Sequence, residues 1–425
     1  MKTYEKTRMR AAVAGLVVAV FGASGCGDLL EVTNAGLIED ESLNDPTFAP
    51  AIVAGMSADF SRALNPGIAQ FVSVSAFEIR SGLSDQGEHV IGYLDHDTSD
   101  RQTTWDSWQR ARWVASAGVE RLKESLSNYG SNSHAASANL YAGFTNRLLG
   151  ENACHAVIDG GSAQPRETHF TVGEAYFTEA AQIAQAAGND DIYHAALGGR
   201  ASVRAWQGDW SGAVADASMV PPGYMFVAPY SSAGVQLRMW EEQFNSRYLT
   251  MMGSMWAPME PLSTELPDNW EEDFVFDPRT PWSMTWFDPN PLFAPRTRGG
   301  GWRAWPQIKY TTRDDDVPVT HGAEMLVLRA EAALRAGDLA GMTTLLNESR
   351  ALYDMDPLPQ PASEAEAWEV FKFERVATVW LEHRGFWDRA RWYAEGRDNL
   401  LEGRAKCFPI GRREIDSNPN LADFR

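Results

Sequence analysis

The chain has 425 residues, of which 44% are hydrophobic and 22% charged, the composition of a globular protein long enough for one large domain or two ordinary ones. Its formal charge is −20 at pH 7. A surface that acidic repels phosphate backbones and argues against nucleic acid as a partner.

In chain order, Met1 to Arg10 carries Lys2, Lys6, Arg8 and Arg10 against Glu5, and Ala11 to Phe21 is an uncharged, largely apolar run. That run is too short to span a bilayer comfortably, and small residues follow it, so residues 1–25 read as a secretory signal peptide. Ala23-Ser24-Gly25-Cys26 resembles a lipoprotein signal box, in which the Cys26 thiol is lipidated and becomes the new N-terminus. A soluble body would then hang from a membrane anchor. Asp28 to Asn44 is polar and acidic and reads as a tether.

Helical periodicity begins at Pro50 to Leu64. Trp105 to Leu126 has a clear apolar stripe of Trp108, Ala111, Ala115, Gly118, Leu122 and Leu126. Further amphipathic runs cover Ser137 to Val157, Val172 to Ala187 and Tyr193 to Trp206. Nothing before Ser218 alternates with period two for long enough to predict a strand, so the first half is expected to be an α-helical array.

Glu324 to Leu346 has apolar residues three and four apart on either side of a Gly337-Asp338 break, which predicts two short helices joined by a tight turn. Gly337 can take the positive φ that ends one helix, and Asp338 can cap the next. The stretch from Ala201 to Gly208-Asp209 repeats the same seven-residue offset as Ala330 to Gly337-Asp338. Such hairpins cannot cover themselves, so the echo predicts tetratricopeptide-like units that share one layer in space.

Composition shifts after Pro221-Pro222. Met251 to Tyr310 holds nine prolines and six tryptophans together with Gly299-Gly300-Gly301, a density that forbids regular helices. Ser363-Glu-Ala-Glu366 is a capping-box signature, and helix is expected from there through Trp380 and Glu382. The tail from Cys407 reads as turn-rich and extended.

Four features together resemble the SusD/RagB family of outer-membrane nutrient-binding lipoproteins. They are Cys26-Gly27-Asp28-Leu29-Leu30; the hairpin from Arg329-Ala-Glu331 to Gly337-Asp338; Glu382-His-Arg384-Gly-Phe-Trp387-Asp388-Arg389-Ala-Arg391-Trp392; and Phe408-Pro-Ile410 with Glu414 to Leu421. They span nearly the whole chain in the family's order. The resemblance implies a mainly α, SusD-like scaffold of tetratricopeptide-like hairpins bearing a variable, looped ligand face. It also implies a lid over a SusC-like TonB-dependent transporter, to which glycans or other oligomers are delivered. The expected organisation is a signal peptide over 1–25, an N-terminal helical region over 26–220 and a C-terminal region over 221–425 with the Trp- and Pro-rich insertion at 251–310.

No catalytic motif stands in the chain: there is no Gly-x-Ser-x-Gly elbow past the leader, no phosphate-binding loop, no His-Glu-x-x-His and no Cys-x-x-Cys. No catalytic residue, metal or cofactor is therefore expected. Asp95-His-Asp97 starts like a calcium loop, but Asp100 replaces the glycine at the sixth position and Asp106 the glutamate at the twelfth. Cys154 and Cys407 either form a disulfide or remain buried free thiols. Asp314-Asp315-Asp316 reads as a solvated face.

Aromatic rings in the insertion are the candidates for ligand contact, because the apolar face of a pyranose stacks on an indole while nearby polar groups bond its hydroxyls. Trp282, Trp286, Trp302, Trp305 and Arg303 are the candidate ligand residues. Trp108, Trp113, Trp206, Trp380, Trp387 and Trp392 are assigned to core packing, and Glu382, Arg384 and Arg391 to a partly buried ion-pair network. The expected function is capture of a nutrient oligomer, a glycan, by a non-enzymatic lipoprotein at the outer-membrane surface. The alternative is a lipid-anchored helical-repeat scaffold for envelope assembly, which has little use for sixty irregular residues.

Overall fold

The computed structural model describes residues 40–66, 71–82, 92–97, 104–257, 277–290, 293–299 and 302–425. Contacts divide the chain into Met1–Leu43 and Asn44–Arg425. Of the first unit only residues 40–43 are described, at the start of a 3-10 turn; the leader and Cys26 lie outside the described residues. Everything below concerns the second unit.

Among the described residues ten α-helices of eight residues or more carry it: α1 Ala49–Pro66, α2 Thr104–Ser125, α3 Ser133–Asn152, α4 Glu167–Ala187, α5 Asp190–Trp206, α6 Trp210–Ala217, α7 Gly322–Arg335, α8 Leu339–Ala351, α9 Glu364–Thr378 and α10 Gly385–Ala394. Consecutive helices pack together from α1 through α6, and again from α7 to α8. The α2 stripe is buried as its spacing predicts, from Trp108 to Leu126.

The junctions reuse one piece of chemistry. Gly208 (φ 86°) and Gly337 (φ 79°) occupy the left-handed region where a side chain is disfavoured. Each is followed by an aspartate that caps the next helix: Asp209 accepts from the Gly212 amide at 2.9 Å and Asp338 from the Gly341 amide at 2.8 Å. The two echoed hairpins are also neighbours in space, because α6 packs against α7 across a long gap in sequence. The stretch between them is anchored by a strand Met225–Ala228 pairing antiparallel with Val317–His321, with a bulge between Phe226 and Val227.

Three expectations are corrected. Ser363 caps α9 by accepting from the Glu366 amide, but the helix ends at Thr378 rather than continuing through Glu382. Leu381 (φ 56°) and His383 (φ 68°) then turn the chain sharply so that Glu382 and Arg384 enter the interior. Trp113 is 60% exposed on α2, one position away from the buried stripe. Asp314, Asp315 and Asp316 are not a merely solvated face: their carboxylates accept from the backbone amides of Ser232, Thr311 and Tyr230 respectively, which pins two turns together.

The motif around Glu382 to Trp392 builds a buried charge network. Arg384 pairs with Glu324 of α7 and, at 3.0 Å, with Glu151 of α3; Arg375 pairs with Asp388 at 2.8 Å; Arg391 pairs with Asp388 at 2.8 Å and with Glu331. Glu382 accepts from Lys309 at 2.7 Å and from His321 at 3.0 Å. Burial would raise the Glu324 carboxyl, but Arg384, Arg375 and Arg147 outweigh it and hold it down at about 2. Carboxylates and guanidiniums thus lock α3, α7, α9 and α10 together, in keeping with the structural role expected of Glu382, Arg384 and Arg391. A Cys154–Cys407 disulfide adds a covalent tie from the end of α3 to the tail, where Cys154 and Phe408 also share a backbone hydrogen bond of 2.8 Å.

Candidate functional site: the tryptophan-rich insertion

The described part of the insertion is held by short ladders rather than by helices. Residues 281–283 run beside 306–308, with Ser283 donating to the Pro306 carbonyl at 2.9 Å and Ile308 to that of Pro281 at 2.8 Å. Residues 295–297 fold back on 302–304, with Thr297 donating to the Trp302 carbonyl at 2.8 Å. This tip leans on the strand Arg80–Ser81, which pairs antiparallel with Leu249–Thr250. Gly82 permits the approach: a Cβ there would lie 2.4 Å from the Thr297 hydroxyl. At the base, Arg279 bonds both oxygens of Asp277 and reaches Glu374 of α9 at 2.6 Å, fastening the segment to the scaffold.

The structure separates the candidate residues by role. Trp282 and Trp305 are 5% and 1% exposed and stack on one another with ring centres 5.9 Å apart, so they pin the segment and offer no open ring face. Arg303 is half-buried and donates to the Ala294 carbonyl at 2.9 Å, closing the loop tip. Trp302 is half-buried with the Arg80 guanidinium 4.0 Å over its ring. Trp286 is 49% exposed, supported from behind by Phe244 at 5.1 Å.

Around these lie Phe293, Tyr248 and Phe244, which sequence reasoning passed over, and Arg298, one of the polar residues interleaved with the tryptophans. Phe293 is 70% exposed in the same segment, and Arg298 donates to the Tyr248 hydroxyl at 2.9 Å while its guanidinium sits 5.5 Å over that ring. Tyr248 and Phe244 precede the proline-dense stretch and carry no periodic signal. Only the burial of their neighbours marks them. The described segment thus offers two exposed rings, Trp286 and Phe293, and two half-buried rings, Trp302 and Tyr248, each under a guanidinium, groups that suit a ligand with apolar faces and a hydroxylated rim. Asp97 pairs with Arg412 at 3.2 Å, and no cluster of three or more possible metal ligands exists among the described residues. No described helix is long and apolar enough to cross a membrane.

No protein-family model matches the sequence, and no curated protein sequence matches it. Solved structures do match in fold. A SusD superfamily protein of Bacteroides vulgatus aligns with a TM-score of 0.58 at 16% identity, over 88% of this chain and 98% of its own. A SusD/RagB family protein of Bacteroides thetaiotaomicron aligns with a TM-score of 0.62 at 13% identity, over 89% and 96%. A SusD-like carbohydrate-binding protein of Bacteroides fragilis aligns with a TM-score of 0.60 at 13% identity, over 84% and 88%. The chain has the SusD-like, mainly helical fold, with tetratricopeptide-like hairpins.

Proposed function

We propose that this chain is a non-enzymatic glycan-binding lipoprotein of the outer-membrane surface, which captures an oligomeric nutrient and delivers it to a TonB-dependent transporter as its lid. The observation that carries the reading is the SusD-like fold, aligned over most of the chain with a protein described as carbohydrate-binding. The exposed Trp286 and Phe293 on a segment fastened to a rigid scaffold add a surface of the right chemistry. Cys26 supplies the anchor, and ligand held between lid and barrel favours the closed state through its contacts with both.

Two experiments test it. A tag on Arg425 and solubilisation of outer membranes in mild detergent should co-purify a stoichiometric TonB-dependent transporter. Recovery with soluble periplasmic proteins alone would favour the envelope-scaffold alternative. Neutral oligosaccharides screened against the purified protein should give binders whose affinity falls at least about 10-fold in Trp286→Ala, the loss of one stacked ring.

A further inference from the structure

On the helical side of the molecule, away from the insertion, a cleft of about 540 Å³ opens between the two echoed hairpins and α10. That volume lies in the ordinary range of small-ligand sites. Its walls are Trp206 and Trp210 from the Gly208-Asp209 junction, and Trp387 and Tyr393 from α10. All four rings are half-buried, and each has a cation over it: Arg391 at 4.6 Å from Trp206, Arg335 at 4.6 Å from Trp210, Arg166 at 5.4 Å from Trp387 and Lys406 at 4.3 Å from Tyr393.

The four cations are not equivalent. Arg391 is committed to Glu331 and Asp388, and Arg335 to Glu331 and Glu395 at 2.8 and 2.9 Å. The side chains of Arg166 and Lys406 make no ion pair or hydrogen bond among the described residues, and each lies over an aromatic ring. Of the two carboxylates that line the cleft, Glu395 is spent on Arg335 and Arg397, and Glu167 follows Arg166 with its side chain in solvent. Burial lowers the Arg166 guanidinium from its usual range, and the neighbouring Glu167 carboxylate, which faces solvent and makes no ion pair with it, offsets this only in part. A second concavity, beside Phe373 and Leu400, lacks this feature, because its Lys372 pairs with Glu369 and its Arg389 with Asp398.

We propose that this cleft binds a carboxylate-bearing sugar ring, the uronic acid unit of an acidic oligosaccharide, with the ring on the indole wall and the carboxylate between Arg166 and Lys406. Two cations left unpaired in a chain of charge −20 are a local reversal of the overall field, and an anion is what completes them. A stacked ring with a charge-assisted bond to its carboxylate uses both halves of the lining. The site is separate from the Trp286 surface and does not depend on it.

The test is calorimetric titration of the purified full-length protein with digalacturonate, and in parallel with galactobiose as its uncharged counterpart. Digalacturonate is expected to bind, with an affinity that weakens as salt is added. Arg166→Gln and Lys406→Met should each weaken it at least about 10-fold. Each cation contacts only a half-buried ring and carries no ion pair, so both variants should keep the wild-type circular dichroism spectrum. Trp286→Ala should leave digalacturonate binding unchanged. Absence of binding, equal binding of both disaccharides, or full affinity in both cation variants overturns the proposal. Digalacturonate binding that is lost in Trp286→Ala and kept in Arg166→Gln would assign the ligand to the insertion, sinking this inference while supporting the proposed glycan-binding function.

Discussion

Glu78 is wholly buried beside Gly385, where a Cβ would stand 2.3 Å from its carboxylate oxygen. Burial pushes its carboxyl up to about 8, and the charges of Lys309 and Arg389 only partly offset this. The folded protein therefore holds a proton on Glu78 that the unfolded chain, with an ordinary carboxyl near 4.5, releases at neutral pH. A raised folded value gives stability that is fully present below pH 4.5 and lost progressively up to pH 8. At about 1.4 kcal/mol per pH unit, the cost at pH 7 relative to acid is roughly 3 kcal/mol, reaching about 5 kcal/mol above pH 8. Glu78→Gln keeps the shape and removes the titration. The difference in stability between variant and wild type, from urea unfolding at half-unit steps between pH 4.5 and 8.5, isolates this one group because all others cancel. The variant should gain steadily on the wild type across that window, and infrared spectra of the wild type at pH 6.5 should show a protonated carboxyl band that Glu78→Gln lacks. A pH-independent difference, or an ionised Glu78 at pH 6.5, would refute the reasoning.

Other changes separate scaffold from surface. Trp305→Ala empties a buried, stacked position and should cost about 3–5 kcal/mol in chemical denaturation, whereas Trp286→Ala should cost under about 1 kcal/mol and act on glycan affinity instead. Arg384→Met takes the nearest cation from both Glu324 and Glu151 in the interior, leaving them only the longer contacts of Arg375 and Arg147, and a loss of about 3–5 kcal/mol is expected by the same assay. The Cys154–Cys407 bridge joins residues 253 apart, so the double serine variant should unfold at clearly lower urea, by up to about 5 kcal/mol in the chain-entropy limit.

How much was legible in the sequence depended on how local the cause was. The Gly-Asp junctions could be read because a positive φ and an N-cap are decided by two adjacent residues, and the α2 stripe because burial there follows helical spacing. Trp113 shows the limit of the same rule. Its residue type suggests the core, but its position beside the stripe rather than on it leaves it in solvent. The end of α9 was missed because Val379 to His383 contains neither glycine nor proline. Leu381 and His383 take left-handed backbone there only because distant groups hold them: Trp380 donates to the Glu78 carbonyl at 3.2 Å, and Lys309 to the Trp380 carbonyl at 2.8 Å. The disulfide stayed open for a related reason, since its partners meet only when α3 and the tail do.

The same reasoning explains why the tryptophans of the insertion divide as they do. A long segment without helices must satisfy its backbone through ladders and bury enough apolar surface to stay ordered, so some rings are consumed in holding it. Trp282 and Trp305 sit at the rungs where 281–283 meets 306–308 and where Met251 donates to the Trp305 carbonyl at 2.8 Å, which forces them inward. Trp286 and Phe293 lie beyond those rungs, where no ladder bond dictates direction, and they face out. The helical side solves the opposite problem. Its rings are placed by regular helices and need no anchoring, yet Trp206, Trp210, Trp387 and Tyr393 remain partly open around cations, two of which lack a counterion. A scaffold selected only for packing would cover such rings and pair such charges, and that is why the cleft between the hairpins carries a binding argument of its own.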